Sequence, residues 1–179
     1  MKKIMCFCCL LLLFAFKTSL SIFDLSFITP GGDEQPLSSY QGKRLMIIVL
    51  PVTQTPKDSS LLQLLEVLNN NYRDSVTMIG VPSNDDGYAV DSASSLMSWY
   101  RSYLDTSFII TGGMFTRKTS DNQAPLFSYL TLAEQNEYFN EDVYGPGEKF
   151  FINQEGRLYG ISVPGADFNE EIFMQMIKQ

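Results

Sequence analysis

Two apolar runs constrain the fold of this chain more than any other feature. Residues 45–50, Leu-Met-Ile-Ile-Val-Leu, contain no polar side chain, and residues 75–81 form a second, mostly apolar run broken only by Ser75 and Thr77. Runs of this length, bounded by turn residues, read as strands buried on both faces. Between them Leu61, Leu62, Leu65 and Leu68 lie at helical spacing. Asp58 is placed to cap that helix, and Asn69-Asn70-Asn71 to fray its end. Strands hidden on both sides need covering layers above and below, which points to an α/β domain.

The remaining chain continues the alternation. Residues 22–29 alternate at period two and stop at Pro30-Gly31-Gly32-Asp33, a hairpin-type turn. Pro82-Ser83-Asn84-Asp85-Asp86-Gly87 ends the second buried run as a loop. Asp91 or Ser92 caps a helix bearing Leu96, Trp99, Tyr100 and Tyr103, and residues 107–110 give a short third strand. Residues 111–123 read as a polar loop, and Pro125 opens a helix that runs to about Leu130. Residues 149–153 and 158–163 flank Asn153-Gln154-Glu155-Gly156 as an antiparallel hairpin. A last helix carries Phe168, Ile172, Phe173, Met176 and Ile177. The order predicts a mixed sheet with helices on both faces and a hairpin at its start.

Lys2 and Lys3 precede an apolar stretch, residues 4–16, that is too short for a membrane span of ~20 residues. Ser19-Leu20-Ser21 then offers small residues in a cleavage-site pattern. The pattern predicts a signal peptide over 1–21, cut after Ser21, and one domain over 22–179 that is exported to the periplasm or secreted. An N-terminal membrane anchor is the alternative. Cys6, Cys8 and Cys9 are the only cysteines, all inside this segment, and the chain has no histidine. The domain beyond it therefore has no thiolate nucleophile and none of the soft ligands preferred by zinc or copper. Lys2, Lys3 and Lys17 leave with the segment, so 10 basic residues face 20 acidic ones. Such a balance argues against nucleic acid as a partner and, once the signal is cut, against an anionic membrane surface.

Several stretches resemble one family in order and spacing. Ile22-Phe23-Asp24-Leu25, Leu37-Ser38-Ser39-Tyr40-Gln41-Gly42-Lys43, Ala124-Pro125-Leu126-Phe127-Ser128-Tyr129-Leu130 and Glu148-Lys149-Phe150-Phe151-Ile152 with Glu155-Gly156 resemble segments of the glutathione peroxidases. That resemblance implies a thioredoxin-like fold: three layers, α/β/α, with a central mixed β-sheet and an N-terminal β-hairpin. It also implies a redox enzyme of the oxidative-stress response, built around one peroxide pocket. The family uses a cysteine or selenocysteine nucleophile with glutamine, tryptophan and asparagine donors. Matched to that pattern, the nucleophile position holds Gln54 and the glutamine position holds Asp85. Gly145-Pro146-Gly147 stands where the tryptophan and asparagine would be. An amide has no ionisable proton, an ionised aspartate only accepts hydrogen bonds, and proline lacks a backbone N–H. The resemblance thus implies a degenerate member, with no catalytic residue and no cofactor or metal.

Other chemistries fit the residues less well. Thr53, Thr55 and Ser83 could pair with Lys57 as a hydrolytic site, though loop hydroxyls ordinarily serve turns. Asp85, Asp86, Glu141 and Asp142 could hold Ca²⁺ or Mg²⁺ if their loops converge, but no calcium-loop spacing is present. Trp99 reads as core packing. Tyr138, Phe139 and Tyr144, beside Gly145-Pro146-Gly147, could form a binding rim for a protein or small ligand whose identity the sequence leaves open.

Overall fold

The computed structural model describes residues 20–178. The predicted signal peptide lies almost wholly outside them. The chain opens with a 3-10 turn, Ile22–Asp24, where a strand was expected. The reason is local: Ser21 and Asp24 form a reciprocal capping box that tightens the backbone into a turn. Strands β1 (Ser26–Ile28) and β2 (Glu34–Pro36) follow as the expected antiparallel hairpin, separate from the main sheet.

The main sheet has five strands in the order β5-β4-β3-β6-β7. Strands β3 (Arg44–Leu50), β4 (Val76–Pro82) and β5 (Ile109–Ile110) run parallel. Strands β6 (Lys149–Ile152) and β7 (Leu158–Ser162) form the antiparallel hairpin that adds to the other edge of β3. The two apolar runs are thus the central pair, fully paired and wholly buried from Leu45 to Leu50.

Helices cover both faces. On one side α1 (Pro56–Tyr72), α2 (Ala93–Arg101) and α5 (Glu170–Ile177) pack Leu62, Leu65, Leu68, Tyr100 and Phe173 on Met46, Ile48, Leu50 and Phe151. On the other, α3 (Pro125–Thr131), the first hairpin and the 3-10 turn after it (Leu37–Tyr40) pack Phe127, Leu130, Phe27 and Leu37 on Ile47, Val49, Val81 and Phe150. A single helical turn, α4 (Ala133–Asn136), follows α3. The layering satisfies the demand of strands that have no exposed face.

The cap and end of α1 differ from expectation. Thr55 is the N-cap and Asp58 its reciprocal partner three residues on. The helix does not fray at the asparagines, because buried Asn69 donates to Asp105 and Ser107. Trp99 packs between Tyr100 and Tyr103 at 5.3 and 6.0 Å between ring centres.

Candidate functional site

Strands β3 and β4 pair in parallel, with Leu50 opposite Pro82. The loops that leave them therefore start side by side at one edge of the sheet, the usual docking edge of such folds. A third segment joins them. Gly147 donates its N–H to the Val49 carbonyl at 2.8 Å, and Val49 returns one to Glu148 at 3.0 Å. These bonds bring Gln54, Asp85 and the segment 144–148 to the same end of the sheet.

Gln54 is exposed, with φ of 56°, a left-handed conformation that costs a non-glycine residue about 1–3 kcal/mol. Its neighbours hold the turn. The Thr53 hydroxyl donates to Asp58 Oδ2 at 2.6 Å, the Thr55 N–H to the same oxygen at 2.9 Å, and Asp58 N–H to Thr55 Oγ1 at 3.3 Å. Burial pushes the Asp58 carboxyl up, but the Thr53 and Thr55 donors with nearby Lys57 outweigh it and hold the acid below its ordinary value.

Asp85 ties two loops together. Its Oδ2 accepts from Thr116 N–H at 2.6 Å, Thr116 Oγ1 at 3.2 Å and Arg117 N–H at 3.0 Å, while Oδ1 accepts from the Ser120 hydroxyl. Desolvation works against the ionised acid here. The donors from Ser120, Arg117 and Thr116 prevail and keep its pKa low. Asp86 pairs with Arg117. Gly145, with φ of 135°, lies beside Arg117, whose guanidinium a Cβ there would meet in ordinary van der Waals contact at 3.7 Å. Asp142 Oδ1 accepts from the N–H groups of Lys118 and Val143. Among the described residues no three acidic groups are placed to hold a metal ion. The hydroxyls weighed for hydrolysis are also engaged: Thr53 donates to Asp58, Thr55 caps α1, and Ser83 is buried against Thr116 at 3.0 Å.

The three aromatics of the proposed rim do not act together. Tyr138 and Tyr144 are exposed. Phe139 instead turns inward, partly buried, and meets Phe150 edge-on, 6.4 Å between ring centres, packed against the core. Asn136 sets that direction by accepting the N–H groups of Tyr138 and Phe139 and donating to the Phe139 carbonyl. Pro146 stays exposed beside a pocket that Gly147 also lines.

Two charged residues at this edge belong to the family-like stretch 148–152 but were given no role by the sequence. Glu148 is fully buried. Its Oε2 accepts from Tyr144 N–H at 2.6 Å, and Oε1 has no partner. Burial, only partly offset by the Tyr144 and Gly145 N–H groups, raises its pKa from 4.5 to about 7. Lys149 is buried on the opposite face of β6 and donates to the Gly147 carbonyl at 2.7 Å. Burial lowers its pKa from 10.5 to about 8, against a raising effect of Glu148. The available signal was the pair of charges set directly against an apolar strand, Glu148-Lys149-Phe150-Phe151-Ile152.

The geometry can be set beside known proteins. Solved structures with the same architecture include two that each cover most of both chains. The apo form of Trgpx matches at a TM-score of 0.63 and 20% identity, over 90% of this chain and 98% of that one. T. cruzi GPX1 matches at 0.63 and 16%, over 88% and 95%. A secreted Mycobacterium tuberculosis disulfide oxidoreductase matches at 0.55 and 16%, over 87% and 96%. These likenesses define the chain as a thioredoxin-like domain, with a five-stranded mixed sheet and a separate two-stranded hairpin. Within that class it is similar to glutathione peroxidases. Glutathione peroxidase 1 of Caenorhabditis elegans is 22% identical over 157 residues, spanning 85% of this chain and 94% of that protein. No family model matches.

Proposed function

We propose that this chain is an exported, degenerate member of the glutathione peroxidase family that binds a partner or ligand and performs no thiol peroxidase chemistry. The observation that carries the reading is the absence of sulfur nucleophile and imidazole: past Cys9 the chain contains neither cysteine nor histidine. Peroxide reduction of this type needs a thiolate or selenolate to attack oxygen. Gln54 occupies the matching turn and has no nucleophilic atom. Asp85, matched to a donor position, spends both oxygens on the 116–120 segment. The Gly145-Pro146-Gly147 turn carries no side-chain donor.

Export is supported by the charge and apolar pattern of residues 1–21. Two structural neighbours agree in kind: one is a secreted disulfide oxidoreductase and another an exposed lipoprotein thioredoxin of Streptococcus pneumoniae. Among the described residues no helix is long and apolar enough to cross a membrane. The test is consumption of hydrogen peroxide and cumene hydroperoxide by the purified protein, with glutathione or thioredoxin as reductant in metal-free buffer. The expected rate equals that of a heat-killed control. Thiol-dependent turnover clearly above it would return the chain to the peroxidases and the oxidative-stress response.

A further inference from the structure

Lys149 is held at a high cost that the fold does not explain. It is 4% exposed, and among the described residues it makes no ion pair. Glu148, its neighbour in sequence, projects to the other face of the strand. The ammonium has three N–H donors. One reaches the Gly147 carbonyl, and the group lies 4.3 Å from the centre of the Phe168 ring. A buried cation without a counterion is expensive unless something supplies the missing charge.

Lys149 lines a pocket of about 360 Å³ between the start of α1, the Pro146-Gly147 turn and residues 164–168. That volume falls in the range of small-molecule sites. Leu61, Leu64, Pro146 and Phe168 give it apolar walls. Its charged liners are Lys149, Lys57 and Asp58. Asp58 is committed to Thr53 and Thr55. The lining therefore carries one net positive charge on a chain whose overall charge is −7. The 17-residue helix α1 also turns its N-terminal end, the positive end of its dipole, toward this place.

We infer that this pocket binds a small amphipathic carboxylate, with its head on the Lys149 ammonium and its hydrocarbon part against Leu61, Leu64 and Phe168. A carboxylate supplies the counter-charge and accepts the unused N–H donors. The apolar walls favour a hydrocarbon tail over a fully hydrated inorganic anion. The inference rests on the reading of the chain as a binding module and makes no use of the fate of peroxide chemistry.

The test is isothermal titration of the purified protein with octanoate and with octan-1-ol. Octanoate is expected to bind, and the alcohol to bind about ten-fold or more weakly, the worth of one charge-assisted hydrogen bond. Lys149→Met should weaken octanoate by a similar factor and leave octanol unchanged. Ala166→Glu, at an exposed lining position, should weaken octanoate alone, and it keeps the test open if the core variant does not fold. Equal binding of acid and alcohol, no octanoate binding by wild type, or undiminished binding by either variant would overturn the inference. A Tyr138→Ala/Tyr144→Ala variant separates this from the partner-binding rim: loss of partner capture with octanoate binding intact would leave the pocket standing alone.

Discussion

Gln54 stands at the turn that follows β3, the position proposed above to match a nucleophile, and its left-handed φ is a property of the turn and not of its chemistry. Gln54→Gly should raise stability by up to about 1 kcal/mol, because glycine adopts that conformation without a side-chain clash; thermal melting reads it. Gln54→Cys restores a nucleophile but none of its donors. Losing one well-placed donor costs about 10²–10³ in rate, so peroxidase activity of the variant should stay orders of magnitude below that of an intact enzyme in a stopped-flow assay. The buried pair makes the opposite kind of prediction. Glu148 holds its proton more tightly folded than unfolded, so stability falls as pH rises through the window from 4.5 to about 7. Glu148→Gln should match wild type at pH 4.5 and exceed it at pH 8 by up to about 3 kcal/mol in urea denaturation. Lys149 is better tolerated neutral. With a folded pKa of about 8 against 10.5, it adds stability only as pH rises through that interval, and Lys149→Met should abolish the rise. The groups that share these environments, Asp142 beside Glu148 and Lys57 and Asp58 around the Lys149 pocket, remain in both variants.

Elements built on periodicity were legible, and those built on local hydrogen bonds were not. The runs 45–50 and 75–81 announce their strands because burial on both faces leaves few polar positions, none in 45–50 and only Ser75 and Thr77 in the second run. The leucine stripe announces α1 in the same way. The first three residues of the domain alternate like a strand, but the Ser21–Asp24 capping box overrides that pattern. The cap of α1 was misplaced by three residues because both Thr55 and Asp58 are good capping residues and only the reciprocal pair shows which leads. Asp58→Ala removes the acceptor for Thr53 and Thr55 and should cost about 1 kcal/mol, with the Gln54 turn loosening at the same time. Amide exchange at Thr55 checks this. The rim was only half legible, since spacing in a loop does not say which way a side chain points. Phe139→Ala should destabilise the fold by about 3 kcal/mol or less as its contact with Phe150 is lost. Tyr138→Ala and Tyr144→Ala, exposed, should leave the melting temperature nearly unchanged.

At the scale of the whole molecule, stability comes from two cores on either side of one sheet and from no covalent cross-link among the described residues. The melting temperature should therefore be the same with and without dithiothreitol, unusual for a domain in the oxidising compartment that the proposed export implies. If the proposed export holds, intact mass of the protein recovered outside the cytosol should show loss of residues 1–21. The buried charges escape a sequence reading for a related reason: a lysine ahead of Phe150 looks like a solvated strand end until the loop 164–168 is seen to cover it.

Strand β3 is bonded on one edge to β4, which follows within about thirty residues, and on the other to β6, about a hundred residues downstream. A ribosome adding ~5–20 residues per second leaves that second edge without its partner for roughly 5–20 s. During this time the most apolar strand of the chain is a half-made template, and another copy emerging nearby presents the same sequence to it. The architecture thus sets a kinetic demand: something in the cell must keep the unfinished chain apart from its twins until its last fifth arrives.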